Sequence, residues 1–150
     1  GSAVDANDPD LSAFRDRGGK LLVYHGWSDP DISPLASIDY FSRVVDLSAS
    51  RADTSSREQA ESETKDYFRL FMVPGMGHCA GGPGPDRFDA LNALENWVEN
   101  DVPPDSIIAR KIEGDQVIRS RPLCVYPAVA RYDGSGSTDE AANFYCAVPE

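Results

Sequence analysis

The chain has 150 residues, enough for one ordinary domain with a core of its own, or one piece of a larger domain, and too few for two. Fourteen basic against twenty-five acidic side chains leave a formal net charge of −11, which repels phosphate backbones and anionic headgroups and argues against nucleic acid and membrane surfaces as partners. No apolar run approaches the roughly 20 residues needed to span a bilayer.

Gly1-Ser2 reads as a cloning scar that hides the native start, so no signal peptide is legible. Residues 1–17 are scar and lead-in, and 18–150 the folded portion. Within the lead-in, "DPDLSAFRDRG" predicts a short helix capped by Asp10 or Ser12 and stopped at Gly18-Gly19. "KLLVYHG" is a short, continuously apolar run ended by glycine, which predicts a buried strand covered on both faces and paired in parallel. After the loop "WSDPDISP", the apolar residues Leu35, Ile38, Phe41, Val44, Val45 and Leu47 fall at helical spacing, with Pro34 suited to the first turn. Residues 48–66 are almost wholly polar and predict a mobile surface excursion with some frayed helix.

"YFRLFMVPG" predicts a second buried strand. From Asp86 onward, Phe88, Leu91, Leu94, Trp97 and Val98 mark another amphipathic helix, ended near Asn100 and at the latest by Pro103-Pro104. The last fifty residues read as short strands, prolines and turns, and no internal repeat is visible. The alternation of strand, loop and helix predicts an α/β fold with parallel strands and flanking helices.

The three cysteines, Cys79, Cys124 and Cys146, form no CxxC pair and no zinc-like spacing. In an oxidising compartment, Cys124 and Cys146 are the expected disulfide, because they bracket the Gly/Ser-rich "YDGSGSTDE" and would close the 120–150 tail. Cys79 is then left over, beside His78. By itself it is as well explained as a small buried hydrophobe.

In α/β sheets the functional loops lie at the carboxyl ends of the strands. Asp29 and Asp31 follow the first strand and His78 follows the second. An aspartate there can accept the Nδ1–H of the histidine, leaving its other nitrogen to take a proton from a serine, with Asp before His in chain order. Residue types alone leave Asp29 and Asp31 equivalent, and loop aspartates and histidines are commonplace.

Three stretches together, "GGKLLVYHGWSDPDISP", "FRLFMVPGMGHCAGGPGPDRFDALNALENWVENDVPPDSI" and "RSRPLCVYPAVARYDGSGSTDEAANFYC", resemble the C-terminal part of the tannase and feruloyl esterase family, which also includes mono(2-hydroxyethyl) terephthalate hydrolase. The resemblance implies an α/β-hydrolase fold. It puts the catalytic aspartate on Asp29, the catalytic histidine on His78, and on Cys79 a cysteine bonded to another just before the nucleophilic serine. The family's G-C-S-x-G-G segment is not in this sequence. Gly134-Ser135-Gly136 lies in the cysteine-bracketed loop, which is the wrong setting for a nucleophile.

The chain is therefore expected to be a C-terminal fragment without the nucleophile half and without the lid domain, to which the resemblance assigns a structural calcium. The parent is expected to be a secreted or periplasmic serine esterase acting on aromatic or phenolic esters, and the fragment alone to be inactive. Its partners are then the ester and the missing N-terminal part. The alternative is a non-catalytic module whose exposed half-sheet associates with a partner chain.

Plainer readings apply elsewhere. His25 is expected to be a packed histidine bonded to the neighbouring loop, and Trp27 a core residue more readily than a pocket wall. "AGGPGP" lacks the lysine of a phosphate loop. Asp29, Asp31 and Ser33 imitate the start of a calcium loop, but Pro34 and Tyr40 replace its glycine and glutamate; Asp133, Ser135 and Ser137 fail in the same way, with Thr138 and Phe144. No metal or other cofactor is expected within the chain.

Overall fold

Two apolar runs, Leu21–Gly26 (β1) and Phe68–Val73 (β2), pair in parallel with Leu21 opposite Phe68 and Gly26 opposite Val73. The computed structural model describes residues 6–51 and 56–149, so Gly1-Ser2 lies outside the described residues. All six residues of β2 are buried. Cover on β1 is thinner than its unbroken hydrophobicity predicts, and Tyr24 is 42% exposed. The reason is topological. Among the described residues β1 has one strand neighbour, whereas β2 is also flanked by Val125 and Tyr126, whose N–H donates to the Leu70 carbonyl at 2.8 Å.

Alternation along the two strands builds a core on each side of the sheet. Leu21, Val23, Phe68, Leu70 and Met72 pack with Phe41, Val44 and Val45 of α2 (Pro34–Arg51) and Ala60 of α3 (Arg57–Lys65). Leu22, Phe71 and Val73 pack with Met76 and with Ile107, Ala109 and Leu123 of the antiparallel pair β3 (Ser106–Glu113) and β4 (Gln116–Cys124). The helix α4 (Ala90–Asn100) buries Trp97, with Lys20 and Arg69 at 5.1 and 5.4 Å from its ring.

Several elements differ from expectation. The lead-in helix α1 (Ser12–Arg15) has Leu11 at its cap, and Asp10 instead accepts from the Ser12 N–H and hydroxyl just outside it. Most of the described part of 48–66 is regular helix rather than a loose excursion. Helix α2 runs on to Arg51, and α3 is capped by Ser56, whose side chain accepts from the Gln59 N–H; 52–55 lie outside the described residues. Helix α3 is polar because it contacts the core through only Ala60 and Thr64, one turn apart, while Glu61 pairs with Lys65 and Arg57 on its surface. Two small residues leave no apolar stripe to read.

Helix α4 starts after Asp89, which caps the Asn92 N–H at 2.9 Å, and ends at Asp101 in a left-handed conformation. Phe88 precedes the helix and packs edge-on against Tyr24 at 5.0 Å. Leu35, Leu91 and Val98, expected on buried stripes, are exposed.

The tail forms a hairpin of β5 (Val129–Tyr132) and β6 (Phe144–Ala147), joined to β4 by a disulfide between Cys124 and Cys146, with Cα atoms 5.6 Å apart. Ser135 sits in a turn of this hairpin, with its N–H and hydroxyl bonded to Asp133. Reducing the bridge should destabilise the fold by about 3 kcal/mol on the loop-entropy argument, read from denaturant midpoints with and without reductant. Thiol titration after denaturation without reductant should find one reactive group, at Cys79; two or three would deny the bridge.

Candidate active site

The loops that leave β1 and β2 at their carboxyl ends cross at backbone contact. A Cβ on Gly26 would collide with the carbonyl oxygens of Met76 and Gly77, so a side chain there is excluded by main chain that cannot step aside. Two hydrogen bonds fasten the crossing, Trp27 N–H to the Val73 carbonyl and Ser28 N–H to the Met76 carbonyl, each 2.9 Å. The first loop is thereby held over the second.

Asp29 and His78 meet at this crossing. Asp29 Oδ2 lies 2.9 Å from His78 Nδ1. A carboxylate only accepts, so the proton of this bond sits on Nδ1. Asp29 Oδ1 accepts from the N–H groups of Asp31 and Ile32 at 2.9 and 3.0 Å, which holds the turn closed. The Ile32 N–H most of all, with those of Asp31 and the His78 ring, outweighs desolvation and keeps the Asp29 carboxyl well below the ordinary carboxylate range.

Exposure divides the pair. The Asp29 side chain is 5% exposed and that of His78 is 45%. Among the described residues Nε2 of His78 has no hydrogen-bond partner, so a fixed, charged carboxylate stands behind a ring whose other nitrogen faces outward.

The loop that carries His78 is bent tightly and clamped from below. His78 C=O accepts from the Ala80 N–H at 2.8 Å across Cys79, whose φ is +64°. A non-glycine residue in that geometry costs of order 1–3 kcal/mol and persists only where its surroundings impose it. Here the surroundings are Asp86 and Lys111. Asp86 Oδ2 accepts the Gly81 N–H at 2.7 Å, and Lys111 Nζ donates to the Gly82 carbonyl at 2.7 Å and to Asp86 Oδ1 at 3.3 Å. Burial opposes ionisation of Asp86, but the Gly81 N–H and the Lys111 and Arg87 charges outweigh it and lower its proton affinity.

Of the other residues singled out in the sequence, Asp31 stays exposed. One of its oxygens comes within 4.8 Å of ligand atoms of Asp29 and His78, but Asp29 already accepts from backbone on one oxygen and imidazole on the other, leaving little lone-pair capacity for an ion. Cys79 is an exposed free thiol, not a buried hydrophobe. Trp27 is not core. It is 41% exposed and lines a cavity of about 590 Å³ with Met72, Pro74, Pro85, Tyr126 and Val129, a cavity that touches neither Asp29 nor His78. His25 is packed as expected, and it also reaches Asp29. Asp86 and Lys111 were missed. Asp86 sits in the motif itself but reads as a turn residue, and Lys111 lies on a distant hairpin with no spacing to betray it.

The family model described as tannase and feruloyl esterase matches residues 1–147. The chain is 46% identical over 147 residues to the mono(2-hydroxyethyl) terephthalate hydrolase of Piscinibacter sakaiensis, an alignment covering 96% of this chain and 22% of that protein. It is 42% identical over 165 residues to an uncharacterized esterase of Xanthomonas campestris, covering 97% of this chain and 29% of the relative. The crystal structure of feruloyl esterase B from Aspergillus oryzae superposes with a TM-score of 0.80 at 33% identity over 93% of this chain and 29% of that one. The chain thus spans 22–29% of the length of these relatives.

Two outcomes are expected from the geometry. Gly26→Ala should destabilise the protein by about 1–3 kcal/mol, the cost of forcing atoms into packed structure, measured by urea unfolding. Asp29 contributes stability that is full above the ordinary aspartate pKa of about 3.9 and is lost as pH falls below it, because its folded carboxyl is held lower. Asp29→Asn should therefore flatten the acid limb of the stability curve.

Proposed function

The chain belongs to the tannase and feruloyl esterase family, and on that premise we propose that it is the C-terminal part of a serine carboxylic ester hydrolase, to which it supplies the aspartate and histidine of the catalytic triad. The observation that carries this reading is the 2.9 Å contact between Asp29 Oδ2 and His78 Nδ1, with His78 Nε2 open to the outside. In the proposed mechanism a serine from the remainder of the polypeptide attacks the ester carbonyl. His78 Nε2 takes the serine proton and returns it to the departing alcohol, and water then releases the acid by the same steps. Asp29 keeps the ring in its Nδ1–H tautomer and stabilises the imidazolium.

In the same reading Cys79 is joined to a cysteine beside that serine. Its outward placement next to His78 and its constrained backbone support this, since such a tether would hold serine and histidine within the roughly 2.6–3.2 Å that proton transfer requires. The substrate is proposed to be an aromatic or phenolic ester of the galloyl or feruloyl kind. The lid domain and its calcium are assigned to the part of the protein outside this chain, and the whole to a secreted or periplasmic location.

The purified 150 residues should not hydrolyse gallate or cinnamate esters. Turnover by this chain that is abolished by a serine-directed inhibitor would overturn the fragment reading. In the full-length polypeptide, His78→Ala and Asp29→Ala should each lower kcat by about 10³-fold or more, with intact melting behaviour for the His78 variant and a lowered melting temperature for the Asp29 variant, which also loses the turn bonds to the Asp31 and Ile32 N–H groups. A well-behaved monomer, together with a full-length protein indifferent to both substitutions, would favour the interaction module.

A further inference from the structure

His25 lies on the face of β1 turned toward α2, four residues before Asp29, and its side chain is 11% exposed. Its two ring nitrogens are engaged by different parts of the fold. Nδ1 is 2.7 Å from the Ser37 hydroxyl on α2. Nε2 is 3.2 Å from Asp29 Oδ2 and 3.2 Å from the Ile32 carbonyl oxygen. Both partners at Nε2 only accept, so the ring carries a proton there, and a neutral ring then receives the Ser37 hydroxyl proton at Nδ1.

Asp29 Oδ2 consequently takes two imidazole N–H groups, one from each histidine. His25 is the inner, buried donor and His78 the outer, half-exposed one. With Oδ1 held by the Asp31 and Ile32 N–H groups, the whole rim of the carboxylate is engaged, and His25 provides the only side chain that ties it back to the sheet among the described residues. The bond to the Ile32 carbonyl closes the same turn from its other end.

We propose that His25 is a positioning residue for the Asp29–His78 pair: its Nε2–H, oriented by Ser37, keeps the Asp29 carboxylate aimed at His78 Nδ1. The two rings of one network then carry opposite tautomers, Nε2–H on His25 and Nδ1–H on His78. The catalytic consequence rests on the triad reading above, but the arrangement itself does not. A histidine that only filled space under α2 would have no reason to prefer one tautomer, and a leucine would replace it without effect on His78.

The test is ring-nitrogen NMR on the 150-residue protein, which holds two histidines and so gives two assignable rings, recorded in alkaline solution where imidazoles are neutral. The expected result is Nε2–H for His25 and Nδ1–H for His78. An Nδ1–H tautomer on His25 overturns the proposal, and this reading needs no substitution, so it stands even if a variant fails to fold. In His25→Leu, solvent exchange of the His78 Nδ1–H should speed up by at least about tenfold, comparable to the loss of one hydrogen bond. In His25→Gln, whose amide can still donate to Asp29, the exchange should return most of the way. Equal exchange in the unsubstituted and leucine proteins overturns the proposal. In the full-length polypeptide, His25→Leu should lower kcat more than it changes KM, again with rescue by glutamine. Absence of any ester turnover there would count against the function proposed above while leaving both NMR readings intact.

Discussion

The site depends on two loops crossing at a distance that admits no side chain. Because β1 and β2 run in parallel and end at the same level, Gly26 opposite Val73, their following loops emerge together, and the missing Cβ of Gly26 lets Met76 and Gly77 pass directly over it. Once the backbones touch there, residues far apart in sequence are a few bonds from a common point. Asp29 and His78 are the residues that occupy it.

Around that crossing the polar groups are distributed unevenly, and the unevenness has chemical content. The carboxylate is buried and surrounded by donors from the main chain and from both histidines, so it is fixed in place and in charge. The imidazole in front of it is held on one side only. A group fixed at its back and free at its front can exchange a proton outward without rearranging what lies behind, which is the property that preorganised acid–base sites require. The second loop has a further support of its own, Asp86 and Lys111 acting on Gly81 and Gly82.

Much of this was legible in the sequence because the signals were local. The continuous runs of β1 and β2, the helical spacing of Phe41, Val44 and Val45, and the glycine-rich punctuation after Pro74 each reflect forces acting within a few residues. The helix of Arg57–Lys65 was not legible, since tertiary contact through Ala60 and Thr64 fixes it and its apolar content does not. Trp27 escaped for a related reason: an aromatic residue at a strand end is core or cavity wall according to what packs above it, and the tail that forms the cavity lies about a hundred positions later. For Lys111, only the folding of the β3–β4 hairpin under the His78 loop discloses the contact.

The two flanks of the central pair are not equivalent. Val125 and Tyr126 stand against β2 like a bookend, while the outer margin of β1 carries a row of backbone donors and acceptors that no described strand meets. Accretion of a further strand is thus one-directional. A strand added in parallel to β1 would finish next to the Asp29 turn, bringing its own following loop to the meeting place of the first two.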